Sequence, residues 1–135
     1  MASNTSPVFT KAPLISMAQI STANTARDGT GTIGTVMTGG ADGYRVDSIR
    51  IHATVTTTAG MVRLFIDDGA ANIRLWREVI VTAITVGAAV AAFDAEIRNA
   101  DGSALLNLPS GYILKASTHN AETFNVIAFG GSYTG

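Results

Sequence analysis

The chain has 135 residues, which favours one domain with a core of its own, and a formal net charge of −1. That balance leaves no electrostatic footprint for nucleic acid, and the lack of cysteine removes disulfides, thiolate metal sites and cysteine nucleophiles together. Charged residues make up 14%, against about 25% in ordinary soluble domains, so Thr, Ser, Ala, Asn and Gly must cover much of the surface, and an oligomer is expected.

In chain order, residues 1–12 are rich in Ser, Thr and Pro and predict an extended N-terminal arm, followed by one β-sandwich domain over 13–135. No basic stretch leads into an apolar run at the start, so a secretory signal peptide is not expected. Strands are predicted over PLISMAQI (13–20) and TIGTVMT (32–38), separated by a loop over 21–31. The turn GGADG (39–43) leads to a strand over YRVDSIRIHATV (44–55). MVRLFID (61–67) and IRLWREVIV (73–81) flank Asp67-Asp68-Gly69 as a hairpin. VAAFDAEIR (90–98) follows, then the turn NADGS (99–103) and two last strands, YILKAST (112–118) and TFNVIAFGG (123–131). About eight short strands separated by turn clusters predict an all-β fold, an antiparallel β-sandwich or barrel.

The serious helical alternative is GAAVAAFDAEI (87–97), because alanine favours helix. Its Phe93, Ala95 and Ile97 also alternate with Asp94 and Glu96, and the β-branched run before it favours a strand. VIVTAITVGAAVAAF (79–93) falls short of the about 20 residues of a membrane helix and is interrupted by Thr82, Thr85 and Gly87. No membrane partner is expected, and the chain reads as soluble and intracellular at synthesis.

Alternation assigns the faces. Ile49, Ile51, Ala53 and Val55 oppose Arg50, His52 and Thr54; Val62, Leu64 and Ile66 oppose Met61, Arg63 and Phe65. Ile73, Leu75, Val79 and Val81 share a face with Arg77, opposite Arg74, Trp76, Glu78 and Ile80. Phe124, Val126 and Ala128 oppose Asn125, Ile127 and Phe129. A free-standing sandwich needs one apolar face per strand. Phe65, Trp76, Ile80, Ile127 and Phe129 therefore predict an oligomer or capsid interface, with a neighbouring subunit as the simplest cover.

The candidate chemical sites reduce to structure. Asp67 and Asp68 are followed by Gly69, Ala70 and Ala71, which suits a turn better than a calcium loop with its many spaced oxygen ligands. His52 and His119 have no clustered partners in sequence and read as exposed strand and loop histidines. Asp94 and Glu96 share a strand face, where pairing with an arginine such as Arg63, Arg74 or Arg98 outweighs carboxylate catalysis. RDGTGTIGT (27–35) lacks the preceding strand and following helix of a dinucleotide loop. No nucleophile, base and orienting group can be assembled, so no catalytic residue, metal or cofactor is expected.

Three stretches carry a resemblance: VRLFIDDGAANIRLWREV (62–79), LNLPSGYILKAS (106–117) and FNVIAFGGSYTG (124–135). Together they resemble a group of small all-β proteins encoded in tailed-bacteriophage structural-gene clusters. In that group an RLFIDDG-type strand, an LPAGY-like turn and a terminal strand ending in Gly-Gly recur. The resemblance implies a virion component, a capsid decoration (cement) protein with a jelly-roll-like sandwich. It would be a homo-oligomer, typically a trimer, made in the host cytoplasm and bound to the major capsid protein on the outside of the head. A tail, fibre-base or head-spike component and a carbohydrate or host-surface binding module are the alternatives. Cement of this kind would oppose shell disassembly by mass action, with many modest contacts acting together.

Overall fold

The computed structural model describes residues 9–134. Among them the chain is all-β, with nine strands: β1 (Ala12–Ile20), β2 (Gly34–Thr38), β3 (Tyr44–Ala53), β4 (Gly60–Asp67), β5 (Ile73–Val81), β6 (Asp94–Arg98), β7 (Leu106–Leu108), β8 (Ile113–Thr118) and β9 (Phe124–Ser132). They form two antiparallel sheets. One has the order β1-β9-β3-β6, with β7 also paired to β3; the other has the order β2-β8-β4-β5. The expected strands are present with shifted ends, and β7 is an addition. The helical alternative over 87–97 gives way to an isolated Gly87–Val90 bridge and then β6. The first eight residues of the expected arm lie outside the described residues, and Ala12 already belongs to β1.

The period-2 alternation sends one face of each strand between the sheets. Ile49, Ile51 and Ala53 of β3, Val62 and Leu64 of β4, Leu114 and Ala116 of β8, and Phe124, Val126 and Ala128 of β9 are buried together. Phe93 stacks edge-on against Phe124 with ring centroids 6.3 Å apart. Each such large apolar side chain contributes about 1.5–3 kcal/mol by leaving water. Near the end of β9, Gly130 faces the bulge in β3 between Val46 and Ser48. A Cβ there would collide with the Arg45 carbonyl and meet Val46 Cα at 3.0 Å, which explains a glycine in the terminal strand.

Two features depart from the alternation read along the chain. First, β5 carries a bulge: Leu64 and Phe65 of β4 are adjacent, but their partners are Arg77 and Leu75. The extra residue, Trp76, reverses the alternation, because a bulge sets two residues against one. Val79 and Val81 therefore point inward beside Val62 and Gly60, whereas Ile73 and Leu75 point outward beside Asp67 and Phe65. Trp76 packs against the core, with the Arg77 guanidinium 5.2 Å from its ring centre.

Second, residues 21–33, between β1 and β2, fold as a strap over the outside of the four-stranded sheet. Ala23 bridges Thr118 of β8, Arg27 pairs with Glu78 of β5 at 2.7 Å, and Gly29 lies against Ile73. Phe65 points outward from β4 as expected, between Lys115 of β8 and Leu75 of β5, so it lies under this span. It is 0% exposed. The expectation of an exposed interface at Phe65 and Trp76 is thus corrected. The chain's own strap covers Phe65, and the β5 bulge turns Trp76 onto the core. Phe65→Ala is expected to lower the unfolding free energy by about 3–5 kcal/mol in equilibrium denaturation, with the oligomeric state of the folded protein unchanged in light scattering.

Candidate functional site

The two outer faces of the sandwich differ. The strap covers much of the four-stranded sheet, whereas the outside of the other sheet presents its side chains in rows. One row runs Gln19, Asn125, His52 and Asp94 across β1, β9, β3 and β6. The next is Met17, Ile127, Arg50 and Glu96, and the third Ile15, Phe129, Ser48 and Arg98. Pairing in register thus divides the face into an apolar half on β1 and β9 and a charged half on β3 and β6.

On the apolar half Ile15 and Met17 are 58% and 64% exposed, and Ile127 and Phe129 beside them are half-buried. A groove of about 330 Å³ runs between Met17, Ala18, Gln19, Asn125 and Ile127. At its polar end the Gln19 amide donates to Asn125 Oδ1 at 2.9 Å. On the charged half Arg50 donates to Asp94 at 2.6 Å and to Glu96 at 2.8 Å, and Arg98 reaches Glu96 at 3.3 Å. His52 Nδ1 lies 3.3 Å from Asp94 Oδ1, so that nitrogen is the donor. Burial pushes the Asp94 carboxyl up, but the bonds from His52 and Arg50 outweigh it and hold the group below its ordinary value. Asp94 and Glu96 are therefore bound by arginine as expected, through Arg50 and Arg98, with Arg63 and Arg74 elsewhere.

Of the five expected interface residues, this face carries Ile127 and Phe129. Ile80 stands 72% exposed on β5, the outer strand of the other sheet. Phe65, on the outer face of β4, is fully covered, and Trp76 is half-buried against the core. Ile15 and Met17 were missed, although the alternation of PLISMAQI makes their shared side legible.

The two aspartates of the hairpin are engaged by the turn itself. Asp67 Oδ1 accepts the Gly69 amide at 2.8 Å, and its Oδ2 pairs with Lys115 at 3.1 Å. Asp68 Oδ1 accepts the amides of Ala70 at 2.8 Å and Asn72 at 3.2 Å, and its Oδ2 accepts the Asn72 side chain at 2.8 Å. The Gly69 amide and then Lys115 hold the Asp67 carboxyl below its ordinary value; the Asn72 side chain and the Ala70 amide do the same for Asp68. Among the described residues no three His, Asp or Glu side chains gather in a way that could hold a metal.

His119 is half-buried in the loop after β8, where an exposed loop histidine was expected. Its Nδ1 lies 3.3 and 3.2 Å from the two terminal nitrogens of Arg63, a residue that is 1% exposed. An arginine only donates, so Nδ1 accepts and the imidazole proton sits on Nε2. Arg63 also donates to Glu78 at 3.0 Å and to the Asn24 carbonyl of the strap at 3.4 Å. Arg27 and then Arg63 hold the Glu78 carboxyl below its ordinary value, against the opposing effect of burial. No sequence pattern pointed to this cluster, whose members come from four separate segments.

The chain matches no known protein family and no curated protein.

Carboxylates held low when folded stabilise the fold above their unfolded values near about pH 4, and that contribution disappears as pH falls through the folded values. Asp68→Asn is accordingly expected to be less stable than wild type at neutral pH. The gap in denaturation midpoint should close in acid, where the native Asp68 is itself protonated. A chelator is expected to leave the melting temperature unchanged, because amides, an ammonium and the Asn72 side chain already occupy the Asp67 and Asp68 oxygens.

Proposed function

We propose that this protein is a structural component of a tailed-bacteriophage virion, a capsid decoration protein that binds the outside of the head as an oligomer, a trimer. Its role is to stabilise contacts between capsomers. The observation that carries the reading is the apolar half-face formed by Ile15, Met17, Ile127 and Phe129, which no other described residue covers fully. Exposed contiguous apolar side chains with a polar border mark association surfaces, and isolated ones do not. Here the border is the Gln19–Asn125 pair and the ion pairs of Arg50.

The strand order supports the jelly-roll part of the reading. With the three-residue β7 set aside, β1-β9-β3-β6 faces β2-β8-β4-β5, the order produced when two Greek keys are wound together. The resemblance over residues 62–79, 106–117 and 124–135 supports the virion part. Its recurring elements have structural reasons here: the aspartates close a hairpin, and Gly130 admits the neighbouring backbone. A decoration protein needs a rigid scaffold and adhesive faces, and its affinity for the shell can come from many repeated modest contacts.

The purified protein is expected to be oligomeric in size exclusion with light scattering. Met17→Glu and Ile127→Glu should each give a smaller species with unchanged β circular dichroism; a stable wild-type monomer would count against the reading. Electron microscopy of heads assembled with and without the protein should show added density at capsomer junctions, and density confined to the tail would overturn the head assignment.

A further inference from the structure

We propose that residues 21–33 form an acid-released strap. Protonation of His119 turns its Nδ1 from acceptor to donor against Arg63, loosens the hold of Arg63 on Asn24, and uncovers the outer face of the four-stranded sheet around Phe65.

The strap is held at few points. The Asn24 amide donates to the Thr118 carbonyl at 2.8 Å, the Asn24 carbonyl accepts from Arg63 at 3.4 Å, and Arg27 pairs with Glu78 at 2.7 Å. Much of its remaining hydrogen bonding is internal: the Asn24 side chain donates to the carbonyls of Thr30 and Thr32, and Asp28 accepts from Thr30. The strap therefore keeps its own shape on leaving the sheet. Ser117 Oγ, buried on the covered face beside a cavity of about 110 Å³ that also touches Thr22 and Thr32, has no hydrogen-bond partner among the described residues. Opening would give it water, which lowers the free energy of the open state.

Positive charge already faces the His119 ring while the strap is closed. Arg63 of β4 touches its ring; Glu78 of β5 is shared between Arg63 and Arg27 of the strap. Glu122, in the same loop as His119, has its Oε2 taken by the amide and hydroxyl of Thr58, and its Oε1 is buried with no hydrogen-bond partner among the described residues. Two guanidinium groups thus already share one carboxylate. A third positive charge at 3.2 Å from Arg63 would have both its charge and its hydrogen-bond direction opposed. Histidine is the side chain that changes charge in the physiological range. The His119 amide donates to the Met61 carbonyl at 2.8 Å, which keeps its backbone beside β4. His52 shows the opposite arrangement, with Nδ1 donating to Asp94.

Hydrogen exchange tests the strap directly, with the Asn24 amide as reporter and the Ile51 amide of the core strand β3 as reference. Between about pH 7.5 and about pH 5.5, after correction for intrinsic exchange, protection at Asn24 is expected to fall about tenfold or more while that at Ile51 holds. His119→Gln, whose amide oxygen still accepts from Arg63 and does not titrate, should keep Asn24 protected at both pH values. Unchanged Asn24 protection in wild type would overturn the proposal, as would parallel loss at Ile51 or the same fall in the glutamine variant. Should that variant not fold, nitrogen NMR of the wild-type imidazole decides. The proton on Nε2 at about pH 7.5 supports the proposal, and the proton on Nδ1 overturns it.

Discussion

Much of this molecule turns on one buried cation. Arg63 points out of the four-stranded sheet, away from the apolar core, yet is 1% exposed because the strap closes over it. A guanidinium out of water needs its donors filled, and leaving such a charge uncompensated costs about 3–5 kcal/mol. Glu78, the Asn24 carbonyl and His119 fill them, and each belongs to a different segment. The arginine is thus the post to which the β1–β2 connection, β5 and the loop after β8 are tied. Phe65, two residues along β4, stays dry because that connection passes over it.

This closure makes the two outsides of the sandwich unlike. The four-stranded sheet buries its outward Phe65, while Ile80 on its outer strand β5 stays exposed. Among the described residues the other sheet has no such cover, and the pairing of β1 with β9 brings Ile15 and Met17 beside Phe129 and Ile127. Neither strand alone makes a patch; the antiparallel register does. The adjacent charged half, where Arg50 and Arg98 bind Asp94 and Glu96, is internally satisfied and offers few free charges to a partner. Association through this face would draw on apolar contact over β1 and β9, with the charged half setting its boundary. A surface of this kind suits a low-charge chain in which Thr, Ser and Ala replace the usual lysines.

Residue by residue, the sequence was legible where the period of two persisted. In β9, Phe124, Val126 and Ala128 are buried and Asn125, Ile127 and Phe129 face out, as alternation requires. In β5 the rule failed at Trp76, because a bulge adds a residue without any glycine or proline to announce it. Phe65 was placed on the correct face and given the wrong cover: a side chain's direction follows from its own strand, but what lies over it depends on a loop some forty residues away. His119 was misread for the same reason, since nothing near it in sequence points to Arg63.

The sequence by itself determined the all-β character, the number and rough limits of the main strands, the inward face of most of them and the turn role of Asp67 and Asp68. These depend on neighbours a few residues apart, through alternation, β-branched content and local hydrogen bonds. Tertiary structure alone decided which outward face is covered, which is bare, and that a buried arginine joins four segments. Those outcomes depend on the path of a connection and on the register between strands distant in the chain, where the decisive contacts form only once the sheets have paired.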